Sequence, residues 1–313
     1  MDGLNKHLVK EINKKRFDEL NITQWQEAGI TGKGVKIAVI GEGEKSHHSG
    51  SWLLGTVTTG AEIITLDTTG KDSMTWGDAL EYCLNNDVDI VCVSYTVYGF
   101  SKKAIEISQK LHDKNVILLD SSGNEGVRMK YHPITLPTWY ATGAYGLDGR
   151  MGYSNYGERL ICLGYSNYMN KNRYGDYVPI SHTSGTPQVI CGMIAMLKQI
   201  NPNLTIKQFE KFVEDNAIRI SSEEWNEEEG WGLMKLPDIS SINLEDYVYN
   251  KGEGDVKMEF KDVEKSKWSY QDIKKVTDMG IMKGYPDGTF NPTGQVTREE
   301  LATVIVNLLK EVK

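Results

Sequence analysis

A chain of 313 residues can bury one large hydrophobic core and still carry a small second unit. Hydrophobic residues make up 39%, as in ordinary globular proteins, and 43 acidic against 35 basic residues leave a net charge of -8. That balance gives a nucleic-acid partner no electrostatic footprint, and no stretch is long and apolar enough to suggest a membrane partner.

Residues 1 to 22 read as an amphipathic helix with Leu4, Leu8, Ile12, Phe17 and Leu20 near one face, and a domain boundary is placed after residue 21. The start, from Met1 to His7, lacks the basic residues and apolar run of a signal peptide. The expectation is therefore synthesis in the cytoplasm without an export leader.

Val35 to Ile40 is an apolar run that stops in the glycine turn Gly41-Glu42-Gly43, the pattern of a buried parallel strand. In α/β sheets such strand ends carry the chemistry. Further strands are predicted at 61–66, 88–94 and 115–120, with helices at 75–86 and 102–114. Strands alternating with helices predict an α/β fold, a doubly wound parallel sheet with helices on both faces.

Cys83, Cys92, Cys162 and Cys191 all lie in apolar segments and form no close-spaced pair, so they are expected as reduced core residues. No metal site and no cofactor is predicted. The main domain is assigned to residues 22 to 245. A polar, glycine-containing linker follows at 246 to 259, and a small helical module at 260 to 313.

Several motifs in order carry a resemblance across residues 22 to 237. They are Val39-Ile40-Gly41, Ser122-Gly123-Asn124, Thr142-Gly143-Ala144, Ser154-Asn155-Tyr156-Gly157 and Gly230-Trp231-Gly232-Leu233. Together the domain resembles a subtilisin-like serine protease (subtilase). That resemblance implies a triad of serine, histidine and aspartate with an oxyanion donor.

Matched to the family's VIDTG, the aspartate position here is Gly41. Matched to HGTHVAG, the histidine position in Ser49-Gly50-Ser51-Trp52 is Trp52, whose indole has a donor and no lone pair for a proton. Matched to GTSMASP, the nucleophile falls on Thr183, or on Ser184 if one residue is deleted. Either hydroxyl also suits a helix cap. The oxyanion donor is retained as Asn124, although asparagine after glycine at a strand end is equally a turn former.

Because triad members act as a unit, these losses imply a catalytically inactive scaffold. The alternative is an active endopeptidase with a rewired triad of Glu42, His47 or His48, and Ser184. Asp67, Asp72 and Asp120 are further carboxylates, but no spacing selects one of them as an orienter. No prodomain of the length usual in the family precedes the domain, which fits a chain that never matures by self-cleavage.

In the C-terminal module, 272–280 is predicted as a helix ended by glycine, 285–288 as a tight turn, and Thr297 as an N-cap completed by Glu300. The helix after it is expected to bury Leu301, Val304, Ile305 and Leu308 on one side. Phe260-Lys261-Asp262-Val263, Trp268, Gly284-Tyr285-Pro286-Asp287-Gly288-Thr289-Phe290 and Thr297-Arg298-Glu299-Glu300 resemble one S-layer homology (SLH) module. The resemblance implies binding of pyruvylated secondary cell-wall polysaccharide.

Trp268 would stack on a sugar face, Arg298 would hold the pyruvyl carboxylate, and Asp287 and Gly284 would shape the cleft. Glu299 departs from the family's usual alanine and places a negative charge beside an anion site. Such modules generally act in threes, so a single copy implies a homotrimer of chains. A leaderless chain with an extracellular ligand further implies a phage or phage-tail-like particle that meets the wall from outside.

Overall fold

The computed structural model describes residues 2–41, 50–69, 73–95, 97, 100–131, 133–146, 148–172, 174, 176–222, 224–240, 260–264, 267, 269–278, 281–282, 284–285 and 288–311. Within these, the side chains of 2–10, 50, 271, 274, 275, 278 and 309–311 lie outside the description. The chain divides into two compact units, Met1–Val248 and Tyr249–Lys313.

In the larger unit, α1 (Asp2–Glu19) and α2 (Ile22–Glu27) lead into β1 (Lys36–Ile40), α3 (Gly50–Val57), β2 (Glu62–Leu66), α4 (Trp76–Asn85), β3 (Ile90–Val93), α5 (Lys102–Asp113) and β4 (Ile117–Ser121). Then come β5 (Tyr140–Tyr145), β6 (Leu160–Tyr165), the hairpin strands β7 (Tyr168–Lys171) and β8 (Tyr177–Ile180), α6 (Thr186–Ile200) and α7 (Ile206–Asn216). The predicted strands and helices as far as β4 all form.

The main sheet is six-stranded and parallel, in the order β2-β1-β3-β4-β5-β6. Its central strands read as unbroken apolar runs because both faces are covered. Alternate residues of β1 serve opposite layers. Ile37 and Val39 join a core with α3 and α6, while Ala38 and Ile40 join one with α4 and α5. Helix α6 is buried from Thr186 to Lys198, an enclosure that suits its almost wholly uncharged sequence. After β1 the chain lays down β2 on one side and then β3 on the other, so the strand order reverses between β1 and β3. Ligands in open α/β sheets bind at such a switch point, beyond the carboxyl ends of the strands.

Helix α1 departs in part from its expected face. Phe17 and Leu20 are buried, but Ile12 is 38% exposed and its neighbour Asn13 is buried instead. The Asn13 side chain exchanges hydrogen bonds with the Met169 backbone, donating to its oxygen and accepting from its nitrogen, each at 2.8 Å. This polar clamp on the β7 edge, rather than the apolar stripe, sets the helix rotation. Leu4 and Leu8 lie outside the described side chains. All four cysteines are free and buried.

The smaller unit contains α8 (Tyr270–Asp278) and α9 (Arg298–Glu311). Phe260, Val263 and Ile273 form its core, with Tyr270 and Phe290 packed against them. Asp262 ties the module together by accepting the Phe290 and Asn291 backbone N–H groups at 2.9 and 2.7 Å. The first of these bonds contributes most to holding its carboxyl below the usual carboxylate range. The capping box is present: Thr297 N donates to Glu300 Oε2 at 2.8 Å and Glu300 N to Thr297 Oγ1 at 3.1 Å.

The expected burial along α9 does not hold. Leu301, Ile305 and Leu308 are 51%, 48% and 44% exposed, and Val304 is half-buried. A core of this size does not cover the helix's apolar stripe.

Candidate active site

The residues matched to the triad come from β1, α3 and the start of α6. β1 leads into Gly41, whose N–H donates to Leu66 O at 2.8 Å and whose φ is 101°. A Cβ at this position would overlap the ring of Tyr95. Tyr95, just beyond β3, thus fills the space into which a side chain at 41 would project. Its ring packs 5.7 Å from that of Trp76, and its hydroxyl lies 2.5 Å from Thr68 Oγ1. Burial pushes that hydroxyl up to about 12. A neutral phenol therefore stands beside Gly41.

Trp52 is half-buried on α3, in edge-to-face contact with Tyr177 at 5.8 Å. Its role there is packing, and its ring offers no atom to take a proton.

Thr183 is fully buried, in a single 3-10 turn (Thr183–Gly185) that leads into α6. Its backbone N–H and its hydroxyl both donate to Asn124 Oδ1, each at 2.9 Å. A backbone N–H can only donate, so the atom facing it must be the amide oxygen. Asn124 therefore turns an acceptor toward the 183 amide, the reverse of what an oxyanion hole needs. The turn is closed by Thr186, whose hydroxyl donates to Thr183 O at 2.8 Å and lies 2.7 Å from Thr142 Oγ1. Ser184 is half-buried in the same turn.

His182 precedes Thr183 with φ of 73°, a conformation uncommon outside glycine. Its ring is exposed, 4.8 Å from that of Tyr153, and Nδ1 lies 3.0 Å from Ser181 Oγ. Among the described residues, no imidazole is hydrogen-bonded to Thr183 or Ser184. Glu42, His47, His48 and Asp72 lie outside the described residues. Asp67 accepts from the Thr69 amide and hydroxyl, an exposed local turn. Asp120 is buried at the end of β4, and burial raises its carboxyl well above the usual range. Among the described residues, no three histidine, cysteine or acidic side chains are placed to share a metal ion.

In the smaller unit, Gly284 faces the Phe260 ring so closely that a Cβ would overlap it, and Thr289 O would stand 2.7 Å away. That glycine is required for packing. Arg298 is exposed at the first position of α9. Trp268 and Asp287 lie outside the described residues. A cavity of about 550 Å³ is lined by Gly284, Tyr285, Phe290, Glu299, Glu300 and Val304 among others, but not by Arg298.

Sequence reasoning missed Tyr95 and the inverted Asn124. Tyr95 follows the buried strand next to β1, but only the parallel register between the two strands brings it to Gly41.

The switch-point sheet, the buried helix α6 and the nucleophile turn at its start define the class of fold found in subtilisin-like proteases. The subtilase family profile matches residues 27–232, and the chain belongs to that family. An S-layer homology domain follows at residues 259–302. The solved structure of a lanthipeptide protease superposes with a TM-score of 0.59 at 12% identity, covering 69% of this chain and 92% of that one.

The C-terminal module is 44% identical over 54 residues to cell surface glycoprotein 1 of Acetivibrio thermocellus, and 46% identical over 52 residues to the cellulosome-anchoring protein of the same organism. Each match covers 17% of this chain, and the chain spans only 2% and 12% of those relatives.

Proposed function

We propose that this chain is a catalytically silent subtilase-fold domain held at the bacterial cell wall by its SLH module. The carrying observation is the Thr183 turn, where the aligned hydroxyl is buried and both donors at 183 are spent on Asn124 Oδ1. Gly41 and Trp52 support the reading, since one position offers no carboxylate and the other no base. A fluorophosphonate probe applied to the purified chain should leave it unlabelled. Labelling that disappears in Ser184→Ala would establish Ser184 as an active nucleophile instead, and its further loss on substitution of Glu42 and of His47 or His48 would establish the rewired triad.

For the wall, the reading is that the module binds secondary cell-wall polysaccharide bearing pyruvyl carboxylates. It is supported by the likeness to a protein named as cellulosome-anchoring and by an exposed guanidinium at Arg298. The guanidinium fork pairs with a carboxylate through two parallel hydrogen bonds. Trp268 would supply the stacking face, while Asp287 and Gly284 would set the turn.

A homotrimer is proposed as the binding unit because Val296, Leu301, Ile305 and Val306 present exposed apolar surface at and along α9. The proposed carrier is a phage or phage-tail-like particle, on the ground that four free, buried thiols suit a chain folded in a reducing compartment. Recovery of the chain from purified particles by mass spectrometry is the expected result, and its recovery only as a freely secreted protein would replace the carrier.

A further inference from the structure

A cavity of about 260 Å³ opens at the amino ends of β5 and β6, where the strands meet α7 and the 225–231 loop. This is the end of the parallel sheet opposite Gly41 and Asn124, which follow the carboxyl ends of β1 and β4. Tyr140 and Arg159 line it from the strand starts, Glu210 and Glu214 from α7, and Trp225 and Trp231 from the loop. One structural water, whose share of volume is about 30 Å³, would leave most of this space open.

Both indoles are half-buried and held by other segments. Trp225 Nε1 donates to Leu160 O at 3.0 Å. The Arg219 guanidinium lies 4.6 Å from the Trp231 ring centroid, and its Nη1 donates to Trp231 O at 2.6 Å. Aromatic surface fixed in this way loses little freedom when a ligand stacks on it. Arg159 Nε donates to Trp139 O at 2.9 Å and the guanidinium lies 4.6 Å from the Tyr140 ring centroid, but Nη2 is buried with no hydrogen-bond partner among the described residues. Glu210 accepts the Tyr140 hydroxyl at 2.6 Å, whereas the Glu214 carboxylate accepts no hydrogen bond among the described residues. A buried donor left unpaired costs free energy, so it marks a missing acceptor.

These groups discriminate between ligand charges. A cation would find guanidinium groups already on the faces of Tyr140 and Trp231. An anion would meet Glu210 and Glu214, four residues apart on α7. A neutral hydroxyl both accepts and donates, so it can serve Arg159 and Glu214 together, and a sugar ring adds a C–H face for the indoles. We propose that this cavity binds a neutral pyranose unit of a cell-wall glycan, stacked on Trp225, with Glu214 as acceptor and Arg159 as donor. The subtilase-fold unit then grips glycan by itself, in addition to the SLH module. The wall as the source rests on the anchoring reading, whereas the site does not depend on it.

The test titrates the full chain carrying Arg298→Ala, which removes the guanidinium proposed for the module's own site, by calorimetry and tryptophan fluorescence. Cellotriose and tri-N-acetylchitotriose should saturate the chain, and the cationic glucosamine trimer and anionic trigalacturonate should bind at least about tenfold more weakly. Added to that background, Trp225→Ala and Glu214→Ala should each weaken the neutral sugars by at least about tenfold. Glu214→Ala removes no hydrogen bond of the fold and should leave the melting temperature unchanged, so its loss of binding reads the site. No saturation at millimolar concentration, undiminished affinity in either variant, or tighter binding of a charged trimer would overturn the site. Wall sedimentation that Arg298→Ala fails to reduce would count against the anchoring reading alone.

Discussion

Gly41 and Tyr95 together leave no room for a side chain where β1 ends. The glycine's φ of 101° and the ring against its Cα both exclude a side chain, so an aspartate placed at 41 would meet strain and overlap. Gly41→Ala should destabilise the larger unit by about 2 to 4 kcal/mol in urea unfolding, combining backbone strain with overpacking. In a Tyr95→Ala background the overpacking share should disappear and the strain remain, a coupling that a double-mutant cycle reads directly. Gly41→Asp should gain no peptidase activity.

Asp120 gives a pH signature. Its folded carboxyl titrates above the unfolded value of about 3.9, so the folded state holds more protons over the interval between the two. Its contribution is most favourable below the unfolded value and is lost as pH rises through the folded one. Asp120→Asn should therefore raise the melting temperature more at pH 7 than at pH 4, as thermal unfolding at the two pH values would show.

The turn that opens α6 makes a prediction at the level of the element. In a working oxyanion hole, removing the asparagine slows a reaction and need not loosen the fold. Here Asn124 accepts two hydrogen bonds from the buried Thr183, so Asn124→Ala should leave two donors unmade and cost about 2 kcal/mol or more in chemical denaturation. Helix α7 offers a control without functional meaning. Thr205 and Gln208 form a capping box, and Thr205→Ala should cost about 1 kcal/mol in the same measurement.

Elements with strong local signals were the readable ones. β1, β3 and β4 show as apolar runs because both their faces are covered, and the Thr297-Glu300 cap shows because its two partners are three residues apart. The β7–β8 hairpin was not predicted. Its short strands, YMNK and YVPI, carry no long apolar run, and its place is fixed by contacts with α1, including Asn13 on Met169 and Phe17 against Tyr168.

The two units invite separate tests in one intact chain. Arg298→Ala should reduce sedimentation with purified cell-wall polysaccharide by at least about tenfold, and Arg298→Lys should recover only part of it, because a point charge lacks the planar fork. Neither substitution should alter unfolding of Met1–Val248, which has its own core. Family and domain order were determined by the sequence itself. Those features depend on residue identity at fixed spacing along the chain. Tertiary structure alone decided that Tyr95 occupies the space beside Gly41, that Asn124 turns its oxygen toward Thr183, and that Arg159, Glu214 and Trp225 line one cavity. Each is a contact between segments distant in sequence, created by strand register and sheet order, and no local pattern encodes it.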